Sequence, residues 1–192
     1  MADIPSIPDI ETEEAAPSVH DVTIRTKDDQ EFTLKSDVAY ESETIKRLQA
    51  ATGPSEVISL TEVEAVHFQK CITFMNWLHE TKEKEKNDQY VPLALKEAFK
   101  EDFVDEFDIY QLAEVLKAAH YLGIDVMRDV CAKKFAEFLE RMTVEEIREL
   151  FGEPDDLSLF ISSYFNFSGL SFYFKSHISQ NKSPNSKKSI AN

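Results

Sequence analysis

Two side chains four residues apart, His67 and Cys71, share one face of any helix that carries them and could reach a common metal ion. A structural zinc site needs four ligands at suitable spacing, and no second pair accompanies these two, so the spacing reads as an ordinary helix histidine beside a core cysteine. The sequence has no Gly-x-Ser-x-Gly, phosphate loop, dinucleotide fingerprint, His-Glu-x-x-His or calcium loop. No catalytic residue, metal or cofactor is therefore expected. A different chemistry is offered by His120 and Tyr121, adjacent near a helix end where the dipole favours positive charge and an amphipathic ring suits a contact. A helix-end pair that closes the core and a pair that touches a partner both fit. Asn166-Phe-Ser168 and Asn181-Lys-Ser183 match the glycosylation pattern. They carry little weight, because residues 1–17 show no basic region followed by an apolar run and no secretion signal is expected.

The stretch that must position these residues is Asp105 to Phe151, which reads as three consecutive helices joined by short turns. The first opens at Asp108 with Gln111 three residues on, a capping-box spacing. Its apolar positions Ile109, Leu112, Val115, Leu116, Ala119 and Leu122 recur at three and four, and Gly123 ends it. The second runs from about Asp125 to Arg141, with Met127, Val130, Cys131, Phe135, Phe138 and Leu139 on a broad apolar face. The third opens on a capping box between Thr143 and Glu146, carries Ile147, Leu150 and Phe151, and stops at Gly152 with Pro154 beyond. Three short helices with such wide faces cannot bury them against one another alone. The surplus apolar surface of residues 125–156 reads either as an internal core contact or as a partner site.

Upstream, residues 1–20 are acidic and proline-containing without periodicity, a flexible tail. Val22 to Thr26 and Glu31 to Lys35 alternate as strands around a polar Lys27-Asp28-Asp29-Gln30 loop of hairpin length. A helix capped by Ser42 ahead of Ile45 follows, then a loop at Thr52 to Ser55 and a short strand at Glu56 to Leu60. The Thr61–Glu64 spacing predicts a capping box and a long helix to about His79, facing inward through Val63, Phe68, Cys71, Ile72, Met75 and Leu78. Thr81 to Gln89 reads as a charged loop, and a segment with Phe99 and Phe103 leads into the central helices. Strands first and helices afterwards describe an α+β domain with helices stacked on a small sheet.

Composition narrows the function classes. Four glycines and seven prolines among 192 residues leave little room for a glycine-rich phosphate cradle or a β-sandwich. Residues 1–156 hold 17 Lys and Arg against 36 Asp and Glu, a net −19, and residues 157–192 hold four Lys and no acid. So acidic a body repels phosphate, and neither nucleic acid nor an anionic membrane is an expected partner. Solubility explains the acidity, and so would attraction to a basic protein. Cys71 and Cys131 fall on apolar helix faces, the pattern of buried reduced thiols in a cytosolic or nuclear protein. At Leu157 the character changes: 18 uncharged residues, LSLFISSYFNFSGLSFYF, precede a basic polar end. Five serines and the Asn166 and Gly169 interruptions make the stretch marginal as a membrane span, and a tail that docks on an apolar face or aggregates fits it better.

The hairpin, SETIKRL at Ser42 to Leu48, the VISL strand and the capped helix after it resemble one family. AAHYLGIDVMRDVCAKKFAEFL at Ala118 to Leu139 and TVEEIRELF at Thr143 to Phe151 carry the resemblance most specifically. The chain is similar to the S-phase kinase-associated protein 1 family, adaptor subunits of SCF cullin ubiquitin ligases, from about Val22 to Asp156. The resemblance implies an α+β BTB/POZ fold over residues 22–124 after a flexible 1–21. It also implies a helical F-box-binding extension over 125–156 and a divergent tail over 157–192.

By position in that family, His120 and Tyr121 would face a cullin. Val130, Phe135, Phe138, Ile147, Leu150 and Phe151 would supply or border the surface an F-box protein fills. The family usually has Asn at the position of His120, which bears on the strength or pH dependence of that contact. It also continues into a last helix that helps clamp the F-box, and nothing after Ser158 matches that helix. The implied function is a non-catalytic adaptor linking a cullin to F-box substrate receptors, in cytoplasm and nucleus, for ubiquitin-dependent degradation. Two other readings stand beside it: a cullin-binding variant that engages F-box proteins poorly, as a competitor or a non-functional product, and a BTB-type oligomerisation module with a membrane-seeking tail. A weak homodimer is a further expectation.

Overall fold

The computed structural model describes residues 19–53, 56–143 and 145–147. Strands β1 (Asp21–Arg25) and β2 (Glu31–Lys35) form an antiparallel hairpin in the register Ile24 opposite Phe32. Asp29 takes the left-handed conformation at φ 60° in the turn, which an aspartate tolerates better than most residues. Alternation puts Val22 and Ile24 in the core while β2 stays half-buried. After α1 (Ser36–Ala39) and α2 (Glu43–Thr52), the chain returns as β3 (Ile58–Ser59), parallel to β1 on its other edge, giving the order β2-β1-β3. The parallel pairing requires a crossover, which α1 and α2 supply. Four longer helices follow: α3 (Ala65–Lys86), α4 (Leu93–Asp105), α5 (Ile109–Leu122) and α6 (Asp125–Glu140). The described residues are mixed α+β and mostly helical, with a small three-stranded sheet.

β1 is shifted by one residue and β3 is shorter than the expected Glu56 to Leu60. Both ends of the long helix also differ from the sequence reading, and there the reasons are tertiary. No capping box forms at Thr61; α3 begins four residues later. Residues 60–63 are instead held alongside β1 and its turn: Leu60 N–H donates to Arg25 O at 2.8 Å, and Lys27 N–H donates to Val63 O at 2.9 Å. The acceptor for the helix start arrives from the hairpin, where Asp28 Oδ1 accepts from Ala65 N–H at 2.8 Å. The Thr26 hydroxyl, which donates to the same carboxylate, is the main cause of an Asp28 pKa below the usual range.

At its other end α3 runs on to Lys86, through most of the expected charged loop. Glu80–Lys84 and Glu83–Lys86 pair along the helix, Thr81 is buried, and Lys96 of α4 pairs with Glu85. Charge at helical spacing, with a neighbouring helix to dock on, extends the helix.

α3 is buried over a wider sector than one amphipathic face. Cys71, Met75 and Leu78 belong to the buried core, and Phe74, not expected there, is fully buried. Phe74 makes edge contacts with Trp77 and Phe103, and Trp77 stacks on Phe99 with centroids 4.3 Å apart. This aromatic cluster fastens α4 to α3.

Candidate partner-binding surfaces

His120 and Tyr121 occupy the last turn of α5, and the chemistry of that helix end explains their placement. The helix opens on the expected capping box, with Asp108 Oδ1 accepting from Gln111 N–H at 2.8 Å. It closes on Gly123 at φ 67°. A helix leaves its last four carbonyls without internal partners. Here Ala119 O accepts from Ile124 N–H at 3.0 Å and His120 O from Gly123 N–H at 3.1 Å. The other two are taken by α2: Tyr121 O accepts from Thr44 Oγ1 at 2.7 Å, and Leu122 O from Ser42 Oγ at 2.6 Å. Ser42 also caps its own helix by accepting from Ile45 N–H at 3.2 Å. The backbone under His120 and Tyr121 is thereby fully bonded. The His120 side chain projects into solvent, and Tyr121 is half-buried against the core.

α6 divides the broad apolar face expected of it into two rows. Met127, Cys131, Phe135 and Leu139 are buried. Val126, Val130, Lys134 and Phe138 stand four residues apart, in the spacing that forms a continuous ridge along a helix, and Met142, two residues past the end of α6, continues the spacing. Val126 is 38% exposed, and the other four are each partly exposed. Lys134 does not interrupt the ridge, because its ammonium pairs with Asp105 and lies 5.9 Å from the Phe138 ring centroid. Val126 and Met142 were missed as surface residues; their four-residue spacing from Val130 and Phe138 was the signal.

Past α6, Thr143 and Glu146 form the expected reciprocal pair: Thr143 N–H donates to Glu146 Oε2 at 2.7 Å, and Glu146 N–H donates to Thr143 Oγ1 at 3.3 Å. The bond from Thr143 N–H, followed by that from its hydroxyl, holds the Glu146 carboxyl below its ordinary pKa. Of the six residues expected to border an F-box protein, Val130 and Phe138 lie on the ridge, and Phe135 and Ile147 are buried. Leu150 and Phe151 lie outside the described residues, as does the rest of the third helix.

Cys71 and Cys131 are buried free thiols. Burial raises both pKa values, that of Cys131 to about 12. His67 is half-buried one turn before Cys71. Among the described residues no three His, Cys, Asp or Glu side chains converge as metal ligands, and no helix is long and apolar enough to cross a membrane.

The Skp1 family, dimerisation domain, matches residues 126–159, a span that opens on the first residue of the ridge. The S-phase kinase-associated protein 1 homolog of Tetrahymena thermophila is 26% identical over 147 residues, covering 71% of this chain and 84% of that protein. SCF ubiquitin ligase complex protein SKP1b of Dictyostelium discoideum is 27% identical over 140 residues, 71% of this chain and 86% of its own length. The chain is similar to Skp1 proteins over about 71% of its length. A shorter stretch of 56 residues is 38% identical to SKP1-like protein 19 of Arabidopsis thaliana, 29% of this chain and only 28% of that relative's length. The Skp1-like match to the family ends at residue 159, three residues into the uncharged stretch.

Proposed function

We propose that this Skp1-like chain is a non-catalytic adaptor of an SCF-type E3 ubiquitin ligase, joining a cullin to F-box substrate receptors. Likeness over 71% of the chain to proteins named as SCF ubiquitin ligase subunits carries the proposal. In this reading residues 22–124 are a BTB/POZ domain, 125–156 the F-box-binding extension, and 1–21 and 157–192 tails. His120 and Tyr121 meet the cullin. The α6 ridge, with the segment after Thr143, meets the F-box protein. The protein works in cytoplasm and nucleus.

The mechanism is geometric. α5 and α6 are joined through Gly123 and Ile124 alone, so the two contact surfaces sit on adjacent, mutually packed helices. A rigid body with two surfaces holds receptor and scaffold in a set relation without doing chemistry. The ridge suits a helix-rich partner, since an i, i+4 row of apolar side chains is the complement of a groove on another helix pair.

A paired titration of the full-length chain against an F-box fragment and a cullin N-terminal fragment tests this. Binding to both is expected, and binding to neither overturns the proposal. A second reading, a cullin-binding variant with impaired F-box affinity, is favoured by one observation: the family match ends at residue 159, and the aromatic, then basic, sequence beyond it does not resemble the family's last helix. Cullin binding without F-box binding would establish it.

A further inference from the structure

We propose that residues 157–174 of this same chain dock on the α6 ridge, and so act as a built-in competitor for the surface. The competition, though not the docking, rests on the F-box reading above.

Three features point to this occupant. The first is reach. The ridge from Val126 to Met142 is about 24 Å long at helical rise. The last described residue, Ile147, follows the end of that ridge closely. Ten further residues lead to Leu157, enough for roughly 33 Å of extended chain. The 18 residues from 157 to 174 span at least ~27 Å even at the rise of a helix. The segment can therefore enter at Met142 and cover the whole row.

The second is chemistry. Between 157 and 174 there are five Phe, two Tyr, three Leu and one Ile, and no charge. Leaving such side chains in water costs about 25 cal/mol for each Å² of apolar surface. Among the described residues, the ridge is a half-exposed apolar row that ends close to this segment along the chain. A tethered segment also presents itself at an effective concentration on the order of millimolar. A free partner of equal intrinsic affinity must exceed that to compete.

The third is charge. The uncharged stretch is followed at once by Lys175 and then by Lys182, Lys187 and Lys188, against a body of net −19. Attraction between the two holds the tail close to the acidic body, over distances set by a screening length of about 8 Å at physiological salt.

The test uses the full-length chain with a photoreactive benzoylphenylalanine in place of Val130, and peptide mapping after irradiation. A crosslink to residues 157–174 at monomer mass is expected. A crosslink only at dimer mass would mean that a second copy covers the ridge, and a crosslink elsewhere or none would mean that the tail does not; either overturns the docking. The companion variant is the full-length chain carrying Phe160→Ser, Phe165→Ser and Phe167→Ser. It should bind an F-box fragment about tenfold more tightly than the parent if the docked state holds about nine molecules in ten. Equal measurable affinity in both overturns the competition. The expected crosslink with no F-box affinity in either chain would leave the docking established and reject the F-box reading instead.

Discussion

Ser42 Oγ donates a 2.6 Å hydrogen bond to the carbonyl oxygen of Leu122, eighty positions further along the chain, while accepting from Ile45 N–H in its own helix. One fully buried hydroxyl thus caps the N-terminus of α2 and the C-terminus of α5 together. Ser42→Ala would leave a buried donor and a buried acceptor without partners. We expect a loss of about 1–3 kcal/mol in urea unfolding. Thr44→Val, which removes the bond to Tyr121 O and a 3.4 Å bond accepted from the exposed Arg47 side chain, should cost less.

Gly123 combines a left-handed conformation with a close approach. Its φ is 67°, and a Cβ at this position would stand 3.3 Å from Glu43 Cβ. Gly123→Ala should therefore destabilise the chain by roughly 1–2 kcal/mol, through backbone strain and displacement of the α2 start. Because the same turn carries His120 and Tyr121, cullin affinity should fall with stability in this variant, measured by calorimetry on the purified full-length chain.

The two cysteines should behave as inert thiols until the protein opens. At pH 8 a maleimide should label neither Cys71 nor Cys131 in the folded chain and should label both in urea. Their pKa values are raised in the folded state by burial, so above about 9 the unfolded chain releases protons that the folded chain keeps. The contribution of the buried neutral thiols is complete below pH 9 and is lost as pH rises from 9 toward about 12. A urea midpoint that holds steady across that alkaline range in the parent and in a Cys131→Ala chain would refute the assignment.

Tyr121→Ala and Val130→Asp should separate the two proposed surfaces. Tyr121→Ala should weaken cullin binding by tenfold or more, with the far-UV spectrum and F-box affinity unchanged. Val130→Asp puts a charge in the middle of the α6 ridge and should reduce F-box affinity at least as much, without loss of cullin binding. A Tyr121→Ala chain that binds cullin as tightly as the parent would remove the helix-end assignment.

Local sequence was enough where the determining interaction is local. The Ser42 and Asp108 caps, the hairpin, the Gly123 stop and the Thr143–Glu146 pair are short-range hydrogen-bond patterns, and each lies where residue type and spacing put it. The burial of Cys71 and Cys131 followed from helical periodicity in the same way. The likeness to Skp1 proteins was carried by contiguous segments, and it was legible for the same reason.

Only the tertiary structure decided what depends on partners distant in sequence. Asp28 of the hairpin, and not Thr61, caps α3. The end of α3 is set by the pairing and packing that α4 provides, which no local rule for a run of Lys and Glu could supply. Phe74 enters the core because α3 is covered on two sides. Helical period alone also cannot say which half of a wide apolar face meets its own chain: Met127, Cys131 and Phe135 turned inward, while Val126, Val130 and Phe138 stayed partly exposed. Periodicity reports that a side chain prefers to leave water, and the neighbours brought in by the fold decide whether it does.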